Sequence, residues 1–259
     1  MRHPTPSGAE QLPFFRSPLP RVFAHRGLPI DAPENTLLAF LKALAIGVPY
    51  LETDVHVSRD GVAIISHDAD LLRLTGRNER VIDLSVAELK LIRLGQDQTF
   101  ATLAEALDAF PEARFNIDIK VPEAVGPTVA AIRRARAVDR VLVTSFNGSR
   151  RRSAVAQLPG VATSASAGGV ALALVLGKIG LIPLLRRALR NVHAVQVPER
   201  ALGMTFTTPL MLARLHRVGV EMHVWTINDP ADMRRLLDLG VDGIMSDRAD
   251  LAMIALAES

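Results

Sequence analysis

Residues 25–67 read HRGLPIDAPENTLLAFLKALAIGVPYLETDVHVSRDGVAIISH. The stretch begins and ends on a histidine and holds two carboxylates, Glu52 and Asp54, near its middle. The apolar run Val22-Phe23-Ala24 leads into His25-Arg26-Gly27, a short strand ending in a titratable group, a permanent cation and a glycine. Pro33-Glu34-Asn35-Thr36 opens an amphipathic helix that runs to Gly47. The next strand, near Tyr50 to Val55, carries Glu52 and Asp54 two residues apart, so both project from one face. Two anions held side by side repel unless a cation sits between them. Asp60-Gly61 marks a hairpin turn, and the return strand Val62 to Ser66 brings His67 back toward the carboxylates. One local unit thus gathers two imidazoles, two carboxylates and a guanidinium. That is an inventory for acid–base chemistry on an anionic substrate beside a hard metal ion.

Outward from this unit, strand patterns recur with helices between them. Strands are expected at Val22–His25, Leu51–Val55, Phe115–Ile119, Val141–Ser145, Val161–Ser164, Ala194–Val197, Glu221–Thr226 and Gly243–Met245. Helices are expected at Thr36–Ile46, Ala101–Ala109, Glu123–Arg136, Ser149–Gln157, Ala171–Leu189, Pro209–Val218, Pro230–Leu239 and Asp250–Ala257. Eight β-then-α units in 259 residues predict an α/β chain folded as a (β/α)₈ TIM barrel. Active sites of that fold lie at the C-terminal strand ends, where His25, Glu52, Asp54, Asp118, Lys120, Ser145, Trp225 and Asp247 all fall. Residues 56–100 read as a small insertion after the second strand, with Ser85 and Glu88 spaced as a capping box. The expected organisation is a loose Pro-rich leader over 1–20, becoming ordered near Phe14-Phe15, and one catalytic domain over 21–259.

Cysteine is absent, which excludes disulfides, zinc–thiolate centres and cysteine nucleophiles. The net charge of +3 weakly favours anionic partners. With one Trp, one Tyr and no basic stripe interleaved with aromatics, a nucleic-acid partner is not expected. The N-terminus has no apolar run of the secretory kind, so a cytoplasmic location is expected, with membrane association open. Residues 168–189, GGVALALVLGKIGLIPLLRRAL, are strongly apolar but hold Lys178 and a proline, which argues against a membrane span. They read first as a barrel helix packed on the sheet or at a subunit contact. The functional alternative is a greasy flap beside the mouth that touches lipid or an acyl chain, a peripheral membrane contact. Oligomeric state is left open.

The motifs HRG at 25–27, PENT at 33–36, ETD at 52–54, DG at 60–61, HD at 67–68, DIK at 118–120, SF at 145–146, WTIND at 225–229 and GVDGIMSD at 240–247 resemble the glycerophosphodiester phosphodiesterase family, in the family's order from Val22 to Leu251. The resemblance implies a TIM barrel that hydrolyses glycerophosphodiesters with one divalent cation, magnesium or calcium, manganese being admissible. It implies His25 and His67 as the general acid and base pair and Glu52 and Asp54 as metal ligands. Asp118 falls where the family usually has glutamate as a third ligand, and is one methylene shorter. Arg26 matches a phosphate-binding residue, Lys120 is expected to help it, and Trp225 matches a residue that packs on substrate. The implied route has one histidine activate the glycerol 2-hydroxyl and the other protonate the leaving alcohol, through a cyclic phosphate. His56 and Ser246 depart from the family pattern without an evident reading.

Two alternatives stand beside this one: a lysophospholipase D on the same barrel, suggested by the apolar stretch, and a catalytically idle phosphate- or lipid-binding barrel, suggested by Asp118. Bland roles are expected for several polar residues. His3, His193, His216 and His223 read as structural or solvated, Asp247 as a brace of the last strand, and Asn35 as the cap of the first helix.

Overall fold

The computed structural model describes residues 12–201 and 204–258. Eight parallel strands form its centre: β1 (Arg21–Ala24), β2 (Tyr50–Val57), β3 (Arg114–Ile119), β4 (Val141–Thr144), β5 (Ala162–Thr163), β6 (Ala194–Pro198), β7 (Glu221–Trp225) and β8 (Gly243–Ser246). Each pairs with its neighbour in chain order except β5 with β6, and β8 pairs in parallel with β1, Val22 opposite Ile244 and Ala24 opposite Ser246. Between β5 and β6 the closure is thin. It rests on a parallel bridge from Ser164 to Ala194, with the Ala165 amide donating to the Ala194 carbonyl at 2.9 Å. The architecture is the (β/α)₈ barrel expected from the sequence.

The strand sequences show why the sheet closes this way. In β3, RFNIDI, Phe115, Ile117 and Ile119 join the main apolar layer beneath the helices, which leaves Asn116 and Asp118 for the barrel interior. In β2 Leu51, Val55 and Val57 join the same outer layer, while Tyr50, Glu52, Asp54 and His56 alternate with them. Period-two alternation therefore loads one face of each strand with apolar side chains for the helices and frees the other for a filled, partly polar lumen.

The lumen is plugged at its N-terminal end. Phe14 and Phe15 are buried there against Phe23 and Tyr50. The buried Arg21 guanidinium donates to Glu221 Oε2 at 3.0 Å and to the Tyr50 hydroxyl at 3.1 Å, and the Phe15 carbonyl accepts from it at 2.5 Å. His223 Nε2 lies 2.9 Å from the same Glu221 oxygen. The buried cation thus meets one carboxylate and two further oxygen acceptors, which offsets the cost of taking its charge out of water. Residues 1–11 of the Pro-rich leader lie outside the described residues.

Apart from two short helices in the insertion, Leu72–Thr75 and Val86–Lys90, the helices are α1 (Leu37–Ala45), α2 (Leu103–Ala109), α3 (Val125–Arg134), α4 (Gly148–Ala156), α5 (Ala167–Ile179), α6 (Ile182–Ala188), α7 (Pro209–His216), α8 (Pro230–Leu239) and α9 (Ala249–Ala257). The single helix expected over Ala171–Leu189 is two. It starts earlier, at Ala167, and breaks at Gly180, which takes the left-handed conformation (φ 77°) that glycine adopts without strain. Pro183 then falls in the first turn of α6, where its missing N–H is not needed.

After β2 the chain turns back through Ala63–Ile65, antiparallel to Val55–Val57. Residues up to Phe100 gather an apolar cluster of their own: Ile64, Leu71, Val81, Leu89, Ile92 and Phe100. The expected capping box is present on the helix Val86–Lys90, with Ser85 and Glu88 each bonding the other's backbone. Among the described residues no helix is long and apolar enough to cross a membrane.

Candidate active site

At the C-terminal end of β1 the chain makes a tight left-handed turn, with φ of 57° at Arg26 and 85° at Gly27. A Cβ on Gly27 would lie 2.7 Å from the Ala39 carbonyl carbon, so only glycine lets the turn sit against α1. This places His25 at the mouth beside β8. Its Nδ1 lies 2.7 Å from Asp247 Oδ1, and its Nε2 is 3.8 Å from Glu52 Oε2. Asp247 also accepts from Asn228 Nδ2 at 2.8 Å. Burial pushes the His25 imidazolium down, but the Glu52 charge and the Asp247 hydrogen bond outweigh it and hold its pKa above the ordinary value.

β2 and β3 supply the carboxylates. Their register sets Glu52 beside Asn116 and Asp54 beside Asp118, a four-residue polar patch on the lumen face. Lys120 follows at the end of β3, and its Nζ lies 2.7 Å from both Asp54 Oδ1 and Asp118 Oδ2. Arg26 Nε is 3.3 Å from Asp54 Oδ2, and the Arg26 amide donates to Glu52 Oε2 at 3.1 Å. Burial and the neighbouring Asp54 charge push the Glu52 carboxyl up to about 8. Asp54 goes the other way: burial would raise it, but the Lys120 charge and hydrogen bond win. Burial keeps Asp118 above its ordinary value despite Lys120. Asp118 Oδ1 and Asn116 Oδ1 are buried without a hydrogen-bond partner. Among the described residues no three His, Asp or Glu side chains stand together as a metal cluster, and the cation between these carboxylates is the Lys120 ammonium.

The hairpin delivers His67 to the same cavity. Its Nδ1 lies 2.7 Å from Asp68 Oδ1, Arg73 Nε donates to Asp68 Oδ2 at 2.6 Å, and Arg73 also donates to Glu34, which holds Arg26 at 3.0 Å. Both histidines thus have Nδ1 tied to a carboxylate, the arrangement that fixes ring orientation and tautomer. His56 Nε2 lies 3.2 Å from the His67 carbonyl oxygen, and burial lowers its pKa.

His25, Arg26, Glu52, Asp54, His67, Asp118, Lys120 and Trp225 all line one cavity of about 460 Å³. Its other half is apolar: Phe146, Val170, Leu174, Phe206 and Met245 with Trp225. Phe146 and Trp225 meet edge to face at 6.0 Å, and Lys120 Nζ stands 5.9 Å from the Phe146 ring centre.

Two expected roles are corrected. Thr36, not Asn35, caps α1, its Oγ1 accepting from the Ala39 amide at 3.2 Å. Asn35 instead donates to Asp54 Oδ2 at 3.1 Å and accepts from Thr53 at 2.8 Å, which orients the carboxylate. Asp247 bonds His25 and so belongs to the site rather than bracing the strand alone. Two further polar residues stand at the site, Asn116 in the cavity lining and Arg150 beside Ser145. Alternation from Asp118 points to Asn116, but Arg150, which donates to the carbonyls of Ile119 and Lys120 from α4, leaves no trace in a local pattern. His193 accepts from the Thr163 amide at 3.1 Å and His216 pairs with Asp242, both away from the cavity lining. His3 lies outside the described residues.

Residues 25–251 match the model of the glycerophosphoryl diester phosphodiesterase family. A Mycobacterium tuberculosis protein named "probable glycerophosphodiester phosphodiesterase 2" is 39% identical over 94% of this chain and 93% of its own. A Mus musculus protein named lysophospholipase D GDPD1 is 29% identical over 88% and 83%. A solved Oleispira antarctica phosphodiesterase, in complex with the product sn-glycerol-3-phosphate, is 26% identical with a TM-score of 0.77, covering 92% of this chain and 97% of that one.

Proposed function

This chain belongs to the glycerophosphoryl diester phosphodiesterase family, and we propose that it hydrolyses glycerophosphodiesters to an alcohol and glycerol phosphate by acid–base catalysis between His25 and His67. The observation that carries the reading is that both histidines, each with Nδ1 tied to a carboxylate, share one cavity with Glu52, Asp54 and Asp118.

The donor set fits a hard divalent ion, magnesium or calcium, with manganese admissible. All its atoms are oxygens, and Asp118 Oδ1 and Asn116 Oδ1 are buried without partners. Glu52, Asp54 and Asp118 would hold it once the Lys120 ammonium had moved from between Asp54 and Asp118. Such an ion supplies charge stabilisation to the non-bridging phosphate oxygens.

The chain's own residues do the rest. Arg26 and Lys120 attract the phosphate and oppose the charge that builds on it. One imidazole takes the proton from the glycerol 2-hydroxyl, whose oxygen attacks phosphorus. The bond to the alcohol breaks, and the other imidazole gives its proton to the leaving oxygen. Water then opens the cyclic phosphate with the two histidines in exchanged roles. Proton transfer of this kind is worth roughly 10²–10⁴-fold. The test is release of glycerol phosphate from glycerophosphocholine by metal-stripped protein, before and after magnesium or calcium is returned. Activity restored by the ion supports the reading, and none with any divalent ion contradicts it.

A second reading, lysophospholipase D action, is supported by the apolar half of the cavity, where Val170, Leu174, Phe206 and Trp225 would suit an acyl chain. Faster turnover of lysophosphatidylcholine than of glycerophosphocholine favours it, and a strong preference for the soluble diester removes it.

A further inference from the structure

α5 is apolar on both sides. Ala173, Leu174 and Leu176 are buried, and Val170, Ala171 and Leu174 line the catalytic cavity. The opposite face carries Leu172, Val175, Lys178 and Ile179, at the i, i+3, i+6, i+7 spacing of one helical stripe. Leu172 is 49% exposed, Val175 57% and Ile179 62%, and the patch continues over the Gly180 turn to Leu181 (42%) and Leu184 (50%) on α6. These are five of the twelve large apolar residues exposed among the described residues, gathered into thirteen positions of chain. A surface helix of a globular domain ordinarily turns polar residues outward, so this clustering asks for a partner.

The charge around the patch indicates which partner. Between Asp139 and Glu199 the chain has no acidic residue, and it carries eight Arg and Lys there. Four of the eight, Lys178, Arg186, Arg187 and Arg190, are exposed on or next to α5 and α6. An exposed apolar stripe whose only charged neighbours along the chain are cations complements an anionic bilayer, which offers apolar chains to the stripe and negative headgroups to the arginines. The same helix borders the cavity with its other face, through Val170, Ala171 and Leu174.

We propose that the α5–α6 hairpin is a peripheral membrane-docking surface for anionic phospholipid. The inference concerns attachment and holds whichever diester the site hydrolyses. It is tested with the full chain by co-sedimentation with vesicles of phosphatidylcholine alone and of phosphatidylcholine mixed with phosphatidylglycerol. The expected result is binding to the mixed vesicles, weakened by salt and by the loss of negative lipid. A Val175→Asp/Ile179→Asp variant loses at least about tenfold in binding, and Arg186→Glu/Arg187→Glu loses at least as much, each cation near such a surface being worth roughly fivefold. Neither pair touches the catalytic residues, so turnover of glycerophosphocholine stays as in the parent, which also certifies folding. Absence of binding to mixed vesicles overturns the proposal, and so does equal binding by parent and variants. A dimer in solution that Val175→Asp/Ile179→Asp breaks, without vesicle binding by the parent, assigns the face to a second copy of this chain and overturns it too. Vesicle binding by a protein that turns over no diester leaves this inference standing and strikes only the proposed activity.

Discussion

Asp247 Oδ1 sits 2.7 Å from His25 Nδ1, although almost the whole chain separates them in sequence. Barrel closure makes the contact: β1 and β8 are neighbours, Ala24 is opposite Ser246, and each strand ends one residue before the pair. Asp247→Asn would keep the shape but no longer hold the ring's tautomer or support its positive charge. The expected outcome is a fall in kcat of about 10²-fold or more with KM little changed, and a shift in the pH–rate profile. A purely structural brace would instead lower stability and leave the profile of the remaining activity alone.

Lys120 bridges Asp54 and Asp118, so removing it leaves two buried carboxylates facing one another. Lys120→Met should lower the stability of metal-free protein by up to about 3 kcal/mol, less than a fully buried pair because the lysine is partly solvated. Magnesium or calcium should recover much of that loss, which denaturant titration with and without the ion would read.

Ion binding itself has a readout apart from turnover. Binding to the folded state alone stabilises by about 2.7 kcal/mol at a hundredfold excess over Kd. The thermal midpoint of the parent should rise with magnesium or calcium, and Glu52→Gln and Asp118→Asn should blunt that rise. An equal rise in all three proteins would place the ion elsewhere.

The Gly27 turn carries a prediction of its own. Gly27→Ala adds a Cβ 2.7 Å from the Ala39 carbonyl carbon, at a φ of 85°. Either term strains the chain, and together they should cost about 2–3 kcal/mol of stability. The position of His25 is tied to the same turn, so activity should fall with it.

His216 predicts a pH dependence of stability. Its Nε2 lies 2.8 Å from Asp242 Oδ2, and that hydrogen bond, outweighing burial, raises the imidazole above 6.5 in the folded state. A group raised on folding binds its proton more tightly in the native state. Its contribution is therefore complete below pH 6.5 and lost as pH rises through the higher folded value. The stability gap between parent and His216→Gln, followed by urea titration, should narrow toward alkaline pH.

Most of the barrel was legible because period-two strands and capped helices are local signals. Phe115, Ile117 and Ile119 against Asn116 and Asp118 announce a strand with two different faces. The same alternation located Glu52 and Asp54, and the hairpin located His67. Closure is not local, and the pairing of His25 with Asp247 across the β1–β8 seam could not be read from either segment alone. Asn35 was misread because it adjoins a helix start, where two side chains compete for one capping role and Thr36 takes it. The break of the 168–189 stretch at Gly180 was masked by continuous hydrophobicity, which carries no punctuation of its own.

The central claim is that this cavity cleaves a glycerophosphodiester through His25 and His67. It is tested most directly by single-turnover release of glycerol phosphate from glycerophosphocholine, comparing the parent with His25→Ala and His67→Ala, each in saturating magnesium or calcium. The account predicts complete conversion by the parent and single-turnover rates roughly 10²–10⁴-fold lower in each variant, with the folded thermal midpoint retained. Turnover undiminished in either variant would contradict it.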